Sequence, residues 1–130
     1  MSITYKYDLQ KKNDLFKLYE ILGWNSFLKL SSDNILKAMK QSFLVVYAYD
    51  GDKLIGTGRV VSDGIINAYL CGLGVLPNYQ NRGIGTEIIK KITKHCKENN
   101  LHLQFLCEKN LLPYYKKMGF EEFAIGMKLL

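Results

Sequence analysis

The chain has 130 residues, 48% of them apolar and 23% charged, with a net charge of +6. This is enough for a buried core in one domain over 1–130 and excludes a disordered chain. It also excludes a bilayer-spanning one, because the longest apolar run, 43–49, is far too short. The positive balance does not point to nucleic acid, since adjacent lysines occur only at 11–12, 90–91 and 116–117, each on a predicted helix.

Residues 3–7 alternate as a short strand, and 1–13 carry no signal-peptide pattern. Leu15, Leu18, Tyr19 and Leu22 fall at i, i+3, i+4 and i+7, which predicts an amphipathic helix ended by Gly23. The stretch 23–34 reads as a loop, with Ser32 or Asp33 capping a second short helix through Ile35, Leu36 and Met39. Strand-like runs follow at 43–49, 53–62 and 65–76, separated by Asp50-Gly51 and Asp63-Gly64. Asp-Gly between apolar runs is a hairpin signal, so these runs form an antiparallel meander.

Pro77 closes the third run. Ile84, Ile88, Ile89, Ile92 and Cys96 then share one face of a long helix that ends at Asn99-Asn100. A strand over 101–107 completes strand–helix–strand, a parallel crossover. A short helix over 111–118 has Pro113 in its first turn and stops at Gly119, and the tail 120–130 ends in strand. The predicted class is α+β, a three-layer α/β/α arrangement around a mixed, mostly antiparallel sheet. Cys71, Cys96 and Cys107 form no C-x-x-C pair and read as buried, reduced thiols of a cytoplasmic protein.

The chemistry centres on "YQNRGIGTEII" (79–89). A dinucleotide fingerprint needs a third glycine where Ile88 stands, and the earlier pair Gly72 and Gly74 fails at Pro77. A Walker loop needs Gly-Lys-Ser/Thr, which occurs nowhere. What remains is a helix N-terminus whose free N–H groups and dipole favour an anion. Gly83 and Gly85 let a pyrophosphate approach the backbone, Arg82 adds charge, and Thr86 offers a hydroxyl.

With the strand before it, "LGVLPNYQNRGIG" (73–85) resembles the strand–turn–helix signature of the GCN5-related N-acetyltransferase (GNAT) family, with Gln80, Gly83 and Gly85 at its defining positions. "YYKKMGF" (114–120) is similar to a second family motif, and the order of elements matches along nearly the whole chain. The resemblance implies the single-domain acyl-CoA N-acyltransferase fold, with splayed parallel central strands, and acetyl-CoA as donor to a primary amine. No metal is involved. It implies that the backbone of Leu73, Gly74 and Val75 holds the pantetheine arm as an added strand would, with an N–H near Val75 serving the developing oxyanion. Gln80, Asn81, Arg82, Gly83, Ile84, Gly85 and Thr86 hold the pyrophosphate, and Asn110 touches the cofactor.

By the same resemblance Tyr115 protonates the leaving thiolate, a transfer that a nearby phenol can make; packing against the cofactor is its other reading. Asp63, Glu108 and Glu121 are the carboxylates open to a base role, and each also fits a turn or surface position. His95 and His102 read as solvated and Cys71 as a buried thiol rather than a nucleophile. The implied acceptor enters over 23–31, where Trp24 either walls a pocket or plugs the core. That loop's only charge, Lys29, argues against a polyamine. The segment 106–120 also resembles the amino-sugar-phosphate branch of the family. Expected partners are a small-molecule amine and a second copy in a homodimer, with neither nucleic acid nor membrane. A non-catalytic acyl-CoA-binding module is the alternative function.

Overall fold

The two Asp-Gly hairpins organise the sheet. The computed structural model describes residues 2–130. Strands β1 (Ile3–Lys6), β2 (Leu44–Asp50), β3 (Lys53–Ser62), β4 (Asn67–Val75) and β5 (His102–Gln104) lie side by side in sequence order. The first four are antiparallel, and β5 runs parallel to β4. Asp50 pairs with Lys53, so the tight loop is Gly51-Asp52, with Gly51 at φ +60°. At the second hairpin the Asp63 carboxylate accepts the N–H groups of Ile65 and Ile66, both at 2.8 Å, which lowers its pKa. Asp63 is thus committed to the turn.

Helices cover both faces. On one lie α1 (Lys12–Ile21), α2 (Asn25–Leu28) and α3 (Ser32–Lys40); on the other lies α4 (Ile84–Glu98). Ile88, Ile89 and Ile92 on α4 are buried, as their spacing predicts. Gly58 lets α4 sit close to β3, since a Cβ there would lie 2.8 Å from Ile88 Cγ2. Leu15, Leu18, Tyr19, Ile35 and Met39 bury the opposite face against β2 and β3. The three layers are therefore as expected.

Five expectations about the secondary-structure elements change. The loop over 23–34 contains α2, held by buried Asn25: its Oδ1 accepts the Leu30 N–H at 2.7 Å and its Nδ2 donates to the Leu30 carbonyl at 3.0 Å. The cap of α3 is Ser31, one residue before the expected pair, and its Oγ accepts the Asn34 N–H at 3.2 Å. The last strand stops at Gln104, because β4 bends away beyond Tyr69 and leaves 105–107 no ladder partner. The parallel pair is at the sheet's edge, not its centre, because the tail adds no strand beyond β5.

The fifth change concerns the tail. Residues 120–130 alternate like a strand yet form none, and Ile125, Met127 and Leu129 are exposed. Their periodicity lacks the hydrogen-bonded neighbour a strand requires. The thiols differ as well, for only Cys96 is buried, Cys71 is half-buried and Cys107 is exposed. No helix among the described residues is long and apolar enough to cross a membrane.

Candidate active site

Strand β4 carries one extra residue relative to β3. Arg59 faces Cys71 and Thr57 faces Gly74, so Gly72 and Leu73 together oppose Gly58. Gly72 sits at φ +60°, the left-handed conformation that a bulge of this kind asks of its first residue. Parallel pairing with β5 covers only Asn67, Ala68 and Tyr69. Past the bulge the two strands splay, and Leu73–Val75 have no strand on that side. The expected splay is present and Gly72 is its hinge.

A cleft of about 620 Å³ opens at this splay, lined by Tyr19, Trp24, Arg59, Cys71, Leu73 and Tyr115 among others. Trp24 does both jobs that the sequence leaves open. Its indole lies edge-on to Tyr19 at 5.0 Å, lines the cleft, and packs on Gly74. A Cβ at Gly74 would come 2.7 Å from the ring and 2.8 Å from Leu22. Gly74→Ala is expected to destabilise the fold by about 1–3 kcal/mol through overpacking. Chemical denaturation followed by the lone tryptophan's fluorescence measures this directly; an unchanged midpoint and spectrum would mean that Trp24 is not fixed there.

The loop after β4 is built from two left-handed residues, Asn81 at φ +63° and Gly83 at φ +81°, with α4 beginning at Ile84. Gln80 is turned inward: its Nε2 donates to the Val75 carbonyl at 3.0 Å and ties loop to strand end. Ile84 buries its side chain, so only its backbone faces the loop. Exposed Arg82 lies 5.6 Å above the Tyr79 ring, whose hydroxyl donates to Asp50 at 2.6 Å. The hydroxyls of Thr86 and Tyr114 are 2.6 Å apart, joining α4 to α5 (Leu112–Lys116). Gly83, the N-cap residue of α4, provides no side-chain cap. A Cβ at Gly83 would meet nothing within 4 Å, and one at Gly85 only Tyr114 Oη at 3.8 Å and Val75 Cγ2 at 3.9 Å. The backbone at Gly83 and Gly85 is therefore open to approach, which suits an anion at the first-turn N–H groups.

Tyr115 is buried on α5, with Phe105, Tyr114 and Phe120 rings at 4.6, 5.1 and 6.3 Å. Burial, then the neighbouring Tyr114 and Cys107, raise its pKa above the usual 10, so the phenol keeps its proton at neutral pH. It reaches the same cleft as Trp24. Asn110, by contrast, is exposed in a 3₁₀ turn and does not line the cleft, although Glu108 and Leu111 on either side do. Glu121 lines a separate cavity of about 370 Å³ beneath the tail. His95 is half-buried against Tyr7, 5.5 Å away, and His102 is exposed near Phe123. Arg59 also enters the cleft; its only mark in the sequence is a charge in the middle of the run 53–62.

The family model described as "Acetyltransferase (GNAT) family" matches residues 11–120. The chain belongs to the GNAT acetyltransferase family. Among GNAT proteins it is 25% identical to Histone acetyltransferase TAP1 of Glycine max, over 88% of this chain and 54% of that protein. A GNAT family acetyltransferase from Streptococcus pneumoniae is 29% identical, with a TM-score of 0.78 over 99% of this chain and 98% of that one. A predicted acetyltransferase of Clostridium acetobutylicum, crystallised with acetyl-CoA, is 17% identical with a TM-score of 0.69, over 99% and 96% of the two chains. This GNAT chain spans between about half and two thirds of the length of the first curated relatives it matches.

Proposed function

We propose that residues 1–130 act as one N-acetyltransferase domain that moves an acetyl group from acetyl-CoA to the primary amine of a small molecule, in a reducing, cytoplasm-like compartment. The observation that carries this reading is the uncapped α4 N-terminus, open at Gly83 and Gly85, at the end of the splayed β4. Acetyl-CoA, when bound, supplies an activated acetyl thioester. Backbone N–H groups over 83–86 bind its pyrophosphate, and Arg82 adds positive charge at the rim. The unpaired edge of Leu73, Gly74 and Val75 receives the pantetheine amides as a strand would, and the Val75 N–H orients the carbonyl.

Tyr115 holds a proton at its phenol oxygen for the departing thiolate. Family membership supports the reaction, and the Clostridium acetobutylicum structure supports the donor. A small acceptor is favoured over the histone in the soybean relative's name. A lysine-rich tail calls for several carboxylates, and Glu108 is the single one lining the cleft. The test is thiol release from acetyl-CoA across amino acids, amino sugars, aminoglycosides and peptide N-termini. Release with at least one amine is expected. Tight coenzyme A binding with no release from any of them would instead favour an acyl-CoA-binding module.

A further inference from the structure

Arg59 is a cation carried into the cleft on β3, where Glu108 is the one lining carboxylate and forms no ion pair with it. Its Nε is buried and has no hydrogen-bond partner. Nη1 reaches Ser42 Oγ only at 3.5 Å, the outer limit of a hydrogen bond. The ion pairs among the described residues, Lys12–Asp33 and Lys91–Glu87, both lie elsewhere. Tyr19 and Cys71 flank the guanidinium. Burial raises both of their pKa values against the lowering pull of Arg59, which for Tyr19 includes a side-chain hydrogen bond, so both stay neutral and neither supplies a counter-charge.

The bulge leaves room at this point. At Gly72 a Cβ would come 3.4 Å from Tyr19 Oη and 3.9 Å from Arg59 Nε, so a side chain here would crowd the guanidinium. A half-buried charge lacking both counterion and full hydrogen bonding is destabilising. The Arg59 side chain lines the cleft, and a guanidinium fork short of partners is matched by a planar or tetrahedral oxyanion. Tyr115 lines the same cavity. Trp24, Phe27 and Leu28 offer the apolar wall that would cover the body of a small molecule between the two.

We propose that Arg59 recognises an oxyanion, a carboxylate or a phosphate, on the acceptor, so that the preferred substrate is a small amine bearing an anionic group. The anion seats on the Arg59 guanidinium beside Gly72, and the amine extends along the cleft toward Val75 and Tyr115. The amine half of this statement rests on the acetyl-transfer reading, whereas the anion half stands on Arg59 alone.

Matched probes separate carboxylate from phosphate: phenylalanine against phenylalaninamide, and O-phosphoethanolamine against ethanolamine. Each is assayed for thiol release from acetyl-CoA and titrated calorimetrically into the protein with coenzyme A present. The anionic member of at least one pair is expected to be preferred about 30-fold or more in kcat/KM or Kd. Arg59→Met should abolish that preference and raise Tm by a few degrees, because an uncompensated charge leaves the interior. Arg59→Lys keeps the charge without the fork and should retain part of the preference. Equal handling of both members of both pairs by the wild-type protein, in both readouts, overturns the proposal. So does an undiminished preference in a folded Arg59→Met protein. Should no amine release thiol while the anionic probe still binds through Arg59, the acetyl-transfer reading fails and the anion site stands.

Discussion

Replacing Tyr115 by phenylalanine is expected to lower kcat by roughly 10²–10³-fold with KM for acetyl-CoA nearly unchanged, the loss typical of a missing general acid. The substitution suits the question because it keeps what holds the ring. The contacts to Phe105, Tyr114 and Phe120 are aromatic, and the phenol hydroxyl has no hydrogen-bond partner among the described residues. Deleting it strands no buried donor or acceptor, so stability should change by no more than about 1 kcal/mol. A large drop in kcat in a protein of unchanged Tm then belongs to chemistry. Full turnover would leave Tyr115 with only a packing role against the cofactor.

The direction of the Tyr115 pKa sets a second signature in the same experiment. Burial disfavours the phenolate, so the folded-state pKa lies above 10 and the acid form is intact throughout the neutral range. Activity that depends on this proton is lost only as pH rises through that raised value. Any basic decline of the wild-type kcat profile due to this group should therefore be centred above pH 10, and Tyr115→Phe should remove it. A decline centred near neutrality that disappears in Tyr115→Phe would show a lowered pKa and contradict the buried, proton-holding phenol.

Local chemistry explains which parts of this fold were legible in the sequence. The Asp-Gly turns at 50–51 and 63–64 and the spacing of Ile84, Ile88 and Ile92 write their structure into neighbouring residues, and β2, β3, β4 and α4 follow. The candidate loop is equally local, since Asn81, Gly83 and the start of α4 depend on a handful of consecutive residues. Tyr115 came from family resemblance rather than from its own surroundings. What stayed hidden depends on contacts between distant segments. The Gly72 bulge is visible only in the β3–β4 register, and Trp24 over Gly74 joins residues fifty apart. The Thr86–Tyr114 hydroxyl pair links α4 to α5 across twenty-eight residues and gives Thr86 a protein partner that its sequence position does not suggest. The tail fails in the opposite sense, for 120–130 has a strand's periodicity without a ladder to join.

The open backbone at the start of α4 makes its own demand on Gly83. Gly83→Asp is expected to weaken coenzyme A binding by roughly 100-fold while leaving the fold nearly as stable. Two opposing terms bear on stability. The position has φ +81°, where a residue with a Cβ costs about 1–2 kcal/mol, at the low end for Asp. A carboxylate at the positive end of a helix dipole returns about 0.3–1 kcal/mol, and nothing within 4 Å obstructs a Cβ there. The net change should stay near 1 kcal/mol. Binding has no such compensation. A fixed negative charge about 5 Å from a pyrophosphate in a partly screened site repels it by about 3 kcal/mol, which is about a hundredfold in Kd. Gly83→Ala carries the same backbone strain without the charge and should weaken binding only severalfold, so the ratio between the two variants isolates electrostatics. That ratio should shrink as salt is raised, because the loop is exposed and the repulsion is screened. Isothermal titration at low and high ionic strength measures all four values. Equal affinity for Gly83→Asp and Gly83→Ala would mean that the phosphates are bound elsewhere than at the α4 N-terminus, and the donor site would have to be sought away from this loop.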